Sequence, residues 1–217
     1  MTSGPGVIVA VAALALAGAG IVLGGLAAGQ PPQPLVAVLL AQAAAALPVL
    51  LALIVYRPAQ LGLGVPQPRH LLTGLAIVPL AILVSLLGAG VVFLAVGQPP
   101  SGQPVEEVIG ALHERFGLLG LVLIGAVLPG IVEEALLRGV VLHGLRRRLS
   151  PNAAIIITAL GFALLHLSPW RLVPQFCLGV LLGWLTLRSG SCWQAAVVHA
   201  GHNAVLLVLS RLAPAWA

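Results

Sequence analysis

The chain has 217 residues, 60% of them apolar and only 7% charged, with a mean hydropathy of +1.13. Soluble domains are about half apolar and a quarter charged, so a water-soluble globular fold is excluded. The net charge of +5 comes from Arg residues scattered among short polar breaks rather than gathered on one face, which argues against a nucleic-acid partner.

A spanning helix needs about 20 mainly apolar residues to cross a hydrocarbon core of about 30 Å, and the sequence supplies such stretches repeatedly. The first runs from about Gly6 to Ala28 with no basic residue before it, and it is longer than the apolar core of a secretory signal, so a retained span is expected. The Pro-rich break Gln30 to Pro34 separates it from a second span, Leu35 to Tyr56. Arg57 to His70 reads as a loop, Leu71 to Val96 as a third span, and Gly97 to Phe116 as a water-exposed loop that could carry a short surface helix. Gly117 to Leu145 is a fourth apolar helix, interrupted by Pro129-Gly130 and by Glu133, Glu134 and Arg138. Ser150-Pro151-Asn152 opens a fifth helix that carries His166, Leu172 to Leu187 is a sixth, and Cys192 to Leu212 a seventh. The expected fold class is all-α, a polytopic transmembrane bundle of about seven spans. It divides into variable N-terminal helices with an external loop (1–116) and a helical core (117–217). Cys177 and Cys192 have neither metal-ligand nor disulfide-framework spacing.

In alternate loops, Arg57, Arg69, Arg146, Arg147, Arg148 and Arg188 fall on one side, whereas Arg115, Arg171 and Arg211 fall on the other. The positive-inside rule then predicts a cytoplasmic N-terminus. A composition rich in Ala, Gly, Leu and Arg, with no Lys or Asp, reads as a high-GC bacterial genome, and the expected location is a multi-pass protein of the bacterial inner membrane.

Ionisable side chains at membrane depth cost at least ~2.5 kcal/mol each, so they mark functional candidates. Glu134 and Arg138 lie four apart on one helical face, acid before base, the favoured order for an ion pair. Glu133 points about 100° away and has no sequence-local counter-ion, which suits a general acid or base or simply a carboxylate in a watery crevice. Phe162 and His166 form a second one-turn pair, and His199 and Asn203 a third, with His202 on the same helix. An imidazole and a carboxamide one turn apart can aim two donors at one point, as an oxyanion requires, or can serve as polar contacts between helices. The Arg146-Arg147-Arg148 run reads as an interfacial anchor.

In order and spacing, Glu133-Glu134-x-x-x-Arg138, Phe162-x-x-x-His166 and His199-x-x-x-Asn203 resemble the CPBP family of intramembrane glutamate-type proteases, which contains the type 2 CAAX prenyl endopeptidases and the bacterial Abi proteins. The segment Gly190 to Ala196 also looks like the approach to the family's last motif. The resemblance covers about Gly117 to Leu212 and departs at His202, which lies outside the pattern. It implies that Glu133 and His166 activate the hydrolytic water and that His199 and Asn203 stabilise the tetrahedral oxyanion. Glu134 and Arg138 are then supporting residues, with Phe162 beside His166. The implied partners are membrane lipid and a membrane-embedded or membrane-anchored peptide. A prenylated substrate does not suit a bacterial composition.

No cofactor is expected, although Glu133, His166 and His199 could supply three zinc ligands. No HExxH stands in the sequence and Asn203 is a poor zinc ligand, which favours metal-free chemistry. The alternatives are a zinc-dependent membrane protease using the same residues, or a non-catalytic immunity or binding protein on the same scaffold. A transporter would tend to show repeated halves, and none is visible.

Overall fold

The computed structural model describes residues 4–27, 33–99 and 104–212, which form an all-helical bundle with no strand among them. The first helices are α1 (Val7–Ala27), α2 (Pro34–Val55) and α3 (Pro68–Val96). A long composite rod follows, made of α4 (Pro104–Val122), α5 (Leu128–Glu134) and α6 (Leu142–Leu145), joined by π-helical turns at Leu123–Val127 and Ala135–Val141. The bundle closes with α7 (Pro151–Leu165), α8 (Pro169–Ser189) and α9 (Cys192–Leu212). Six of these rods are long and apolar enough to cross a membrane, and α7 is a shorter apolar helix. The expected seven helices are therefore present, one of them short.

Each break has a local cause. Gly117 interrupts α4 with φ 65° and ψ −172°, a conformation open to glycine and costly for other residues. Before it lies a surface helix with exposed Glu106, Glu107, Glu114 and Arg115. Much of the stretch from Gly97 to Phe116, expected chiefly as a loop, is thus helical from Pro104, with a proline and two glutamates suited to a helix N-terminus. Pro129 in α5 has no N–H to return to the preceding turn, where the first π segment widens the rod. In the second π segment the Arg138 carbonyl accepts a hydrogen bond of 2.7 Å from His143 Nδ1. Helix α7 begins at Pro151 behind Ser150, whose hydroxyl accepts from the Ala153 N–H.

The rod from α5 to α6 is the axis of the bundle. Leu136, Leu137, Val140, Val141 and Leu142 are fully buried in it, and the helices packed around it include α1, α2, α7 and α9. The outward leucines of α3, among them Leu72, Leu86 and Leu94, are exposed. An apolar surface of that extent is covered by lipid in a spanning protein.

At one end, Arg147 donates to the Gly4 carbonyl, the Cys192 N–H reaches Gly62 O at 3.1 Å and Trp193 Nε1 reaches Gly64 O at 2.6 Å. These contacts gather the N-terminus and the segments around residues 57–67, 146–150 and 189–193 onto one rim, the rim with the Arg majority. The 15 residues of α7 rise only about 22 Å. Its first turn lies beside Arg146–Arg148 on that rim, and His166 follows its last turn.

Close approach between rods is made by small residues, as is usual within membranes. A Cβ built on Gly130 of α5 would meet the backbone nitrogen and Cβ of Ala200 on α9 at 2.9 Å. This contact seats Glu133 and Glu134 beside the helix of His199. Gly130→Leu should therefore lower the thermal unfolding midpoint in detergent, by the equivalent of about 1–3 kcal/mol for overpacking. Wild-type stability in that variant would show that α5 and α9 do not touch there.

Candidate active site

Glu134 and Arg138 are both completely buried. Arg138 Nη1 donates to Glu134 Oε1 at 3.1 Å, as the spacing predicts, and Nη2 donates to the Gly179 carbonyl on α8 at 2.9 Å. A side chain at Gly179 would press on Ala159 Cα at 3.0 Å and on the Phe162 ring at 3.2 Å, so glycine brings that carbonyl within reach. The Arg138 guanidinium carbon also stands 5.0 Å from the Phe162 ring centroid, a cation–π contact.

The same Glu134 oxygen accepts from His199 Nδ1 of α9 at 3.0 Å. One carboxylate thus ties α9 to the rod, and through Arg138 it is tied to α8. Phe162 of α7 is the hub of the aromatic side. Its ring centroid lies 4.9 Å from that of His166 and 5.3 Å from that of His199, each edge-to-face at 84°. His166, at the end of α7, places Nδ1 2.8 Å from the Phe162 carbonyl. It is followed by Leu167, whose φ of 50° is left-handed, the one such non-glycine conformation among the described residues.

These contacts decide which imidazole nitrogens carry protons. A carbonyl can only accept, so His166 Nδ1 is the protonated nitrogen, and in the neutral ring Nε2 is a proton acceptor. His199 Nδ1 faces a carboxylate and is likewise protonated. It can donate through Nε2 as well only when both ring nitrogens carry protons. The simple expectation that His199 and Asn203 act as two equivalent donors therefore acquires a condition. Asn203 accepts on Oδ1 from His202 Nδ1 at 3.1 Å, an orientation that leaves the amide nitrogen as donor. His202, outside the sequence pattern, is buried and orients Asn203.

Glu133 is half-buried and acts electrostatically on His166, Arg138 and Arg171. Its hydrogen bond comes from Gln42 of α2, whose Nε2 stands 3.1 Å from Glu133 Oε1. Sequence reasoning missed both Gln42 and Arg171. Gln42 had a signal, as the single polar residue in α2. Arg171 was read only as a loop charge. Among the described residues, no three His, Cys, Asp or Glu side chains gather as a group that could hold a metal ion.

Residues 115–205 match the family model described as type II CAAX prenyl endopeptidase, Rce1-like. No curated protein and no solved structure matches the chain. The matched stretch takes in the rod from Arg115 and extends into α9. It contains Glu133, Glu134, Arg138, Phe162, His166, His199 and Asn203 and leaves out α1–α3. The match supports a multi-pass membrane endopeptidase in general terms.

The buried pair can be tested directly. Arg138→Ala strands the Glu134 carboxylate and should cost about 3–5 kcal/mol of stability, read as a lower unfolding temperature and a smaller folded yield in detergent. Arg138→Lys should not rescue it, because one ammonium cannot reproduce the planar fork that reaches both Glu134 and Gly179. A fully stable but inactive Arg138→Ala protein would instead place Arg138 among the groups that touch the reacting atoms.

Proposed function

We propose that the chain is an intramembrane endopeptidase that hydrolyses peptide bonds of membrane-associated substrates through a Glu/His-activated water. The observation that carries this reading is the fixed tautomer of His166. With Nδ1–H held by the Phe162 carbonyl, its Nε2 is a proton acceptor, and the Glu133 carboxylate acts on the same ring. A carboxylate and a neutral imidazole acting together are the parts a water needs in order to attack an amide carbonyl.

In the proposed cycle Glu133, assisted by His166, takes a proton from the water as its oxygen bonds to the scissile carbon. The carbonyl π electrons move to the oxygen, which His199 and Asn203 stabilise as an oxyanion. The tetrahedral species collapses as the C–N bond breaks, and the proton held at Glu133 passes to the departing amine. The products are a carboxylate and an amine, with no outside reductant or oxidant needed. Glu134, Arg138 and Phe162 hold His199 and His166 in place throughout. No metal takes part in this reading.

The substrate we propose is a membrane-embedded or membrane-anchored peptide, reached from within the lipid. The many exposed apolar side chains of the spanning helices and the match to a membrane endopeptidase family support this. We place the protein in the bacterial inner membrane with the Arg-rich rim in the cytoplasm, as the positive-inside rule requires.

The experiment is cleavage of a membrane-proximal peptide by the purified full chain in liposomes. Glu133→Gln should abolish turnover, because an amide cannot accept the water's proton. Asn203→Ala should lower the rate by roughly two to three orders of magnitude, the usual cost of one oxyanion donor, with KM little changed. Chelators should have little effect. Activity lost on chelation and restored by zinc would make Glu133, His166 and His199 ligands. Retention of activity by all variants of Glu133, His166, His199 and Asn203 would remove the enzyme reading altogether.

A further inference from the structure

The hydrogen bond from Gln42 to Glu133 crosses from α2 into the rod, and it comes from outside the matched residues 115–205. A polar side chain facing lipid would be costly, and polar groups in spans normally face the bundle interior. Gln42 does so, with its Oε1 buried and without a hydrogen-bond partner among the described residues. The orientation of its amide is set by charge, since the carboxylate attracts the N–H and repels the carbonyl oxygen.

Gln42 also forms part of the wall of a cavity of about 180 Å³ between α2, α4 and α9, lined otherwise by apolar residues such as Val38, Ile109, Leu112, Leu121 and Leu207. The Gln42 amide is the hydrogen-bond donor that reaches Glu133 from this mainly apolar side. A hydrogen bond to a charged group in such surroundings is stronger and more directional than one in water. Simple helix-to-helix adhesion would not require a carboxylate partner, because α2 already packs on α5 and on the second π segment through apolar contact.

On the protease reading above, we propose that Gln42 is a positioning residue for the general base. Its amide nitrogen fixes Oε1 of Glu133 and leaves Oε2 to receive the proton of the attacking water. Helix α2, which carries none of the sequence motifs, is then a working part of the active site.

The test compares the full chain with Gln42→Leu and Gln42→Met, two apolar replacements of similar length that suit a span. Two readouts are needed: cleavage kinetics in liposomes, and the infrared carboxylate stretch assigned to Glu133 by difference against Glu133→Gln. Expected are a kcat lower by on the order of 10- to 100-fold, the range for losing a group that orients a reacting side chain, a KM little changed, and a shifted Glu133 band. Folding should be unaffected, read as an unfolding temperature no lower than wild type. An unmoved band overturns the proposal, and so does a wild-type kcat in both variants. If the wild-type chain cleaves nothing, the protease reading fails, while the band still reports whether Gln42 holds Glu133.

Discussion

The bundle depends on one buried charge pair. Glu134 and Arg138 are both without solvent exposure, and two charges cannot stay in such a place unless each is closely paired and hydrogen-bonded. Their pairing draws in three other helices. Arg138 requires the Gly179 carbonyl of α8 and lies over Phe162 of α7, while Glu134 requires the imidazole of His199 on α9. The penalty for leaving either charge unsatisfied makes the relative placement of the rod, α7, α8 and α9 nearly all-or-none. A site that needs groups from several helices gains its precision from this.

Small residues permit what the charges demand. In lipid there is no hydrophobic drive between helices, so close packing and polar contacts must hold them together. Gly130 against Ala200, and Gly179 against Ala159, let the backbones approach until the long polar side chains can meet. The two π segments in the rod adjust where those side chains point. Such widened turns recur at functional sites because they re-aim a few residues without ending the helix. Here the second one spans Arg138 itself, and His143 satisfies the carbonyl of that residue.

The same framework separates support from chemistry. Glu134 is completely buried, with Oε1 taken by both Arg138 and His199 and Oε2 without a hydrogen-bond partner among the described residues, whereas Glu133, one residue earlier, accepts from Gln42. Two adjacent carboxylates thus occupy different faces of one helix, one completely buried and tying helices together, the other half-buried beside Gln42. The hydrogen bonds on the ring nitrogens extend this division. His166 Nδ1 is held by a backbone carbonyl, which leaves Nε2 as an acceptor in the neutral ring, and His199 Nδ1 is held by a carboxylate. Leu167 holds a left-handed turn immediately after His166, a conformation that costs a leucine of order 1 kcal/mol and that the fold sustains at this one place.

Much of this was legible in the residues themselves. Apolar runs of spanning length gave the helices, because a membrane imposes its thickness on any segment that crosses it. The spacing of Glu134 and Arg138 gave their ion pair, because residues four apart share a helical face. Scarcity of charge singled out the motif residues. Other features were decided only by tertiary structure. Gln42 and Glu133 are 91 residues apart, and no local period relates them. That His199 takes the oxygen already held by Arg138 depends on how closely α9 approaches the rod, which is a matter of Gly130 and Ala200. The break between the surface helix and the apolar rod follows from a φ angle at Gly117. The sequence by itself determined which side chains were too costly to be there without a purpose. The tertiary structure decided which of them meet, because burying a charge is governed by the partners that come to it through space.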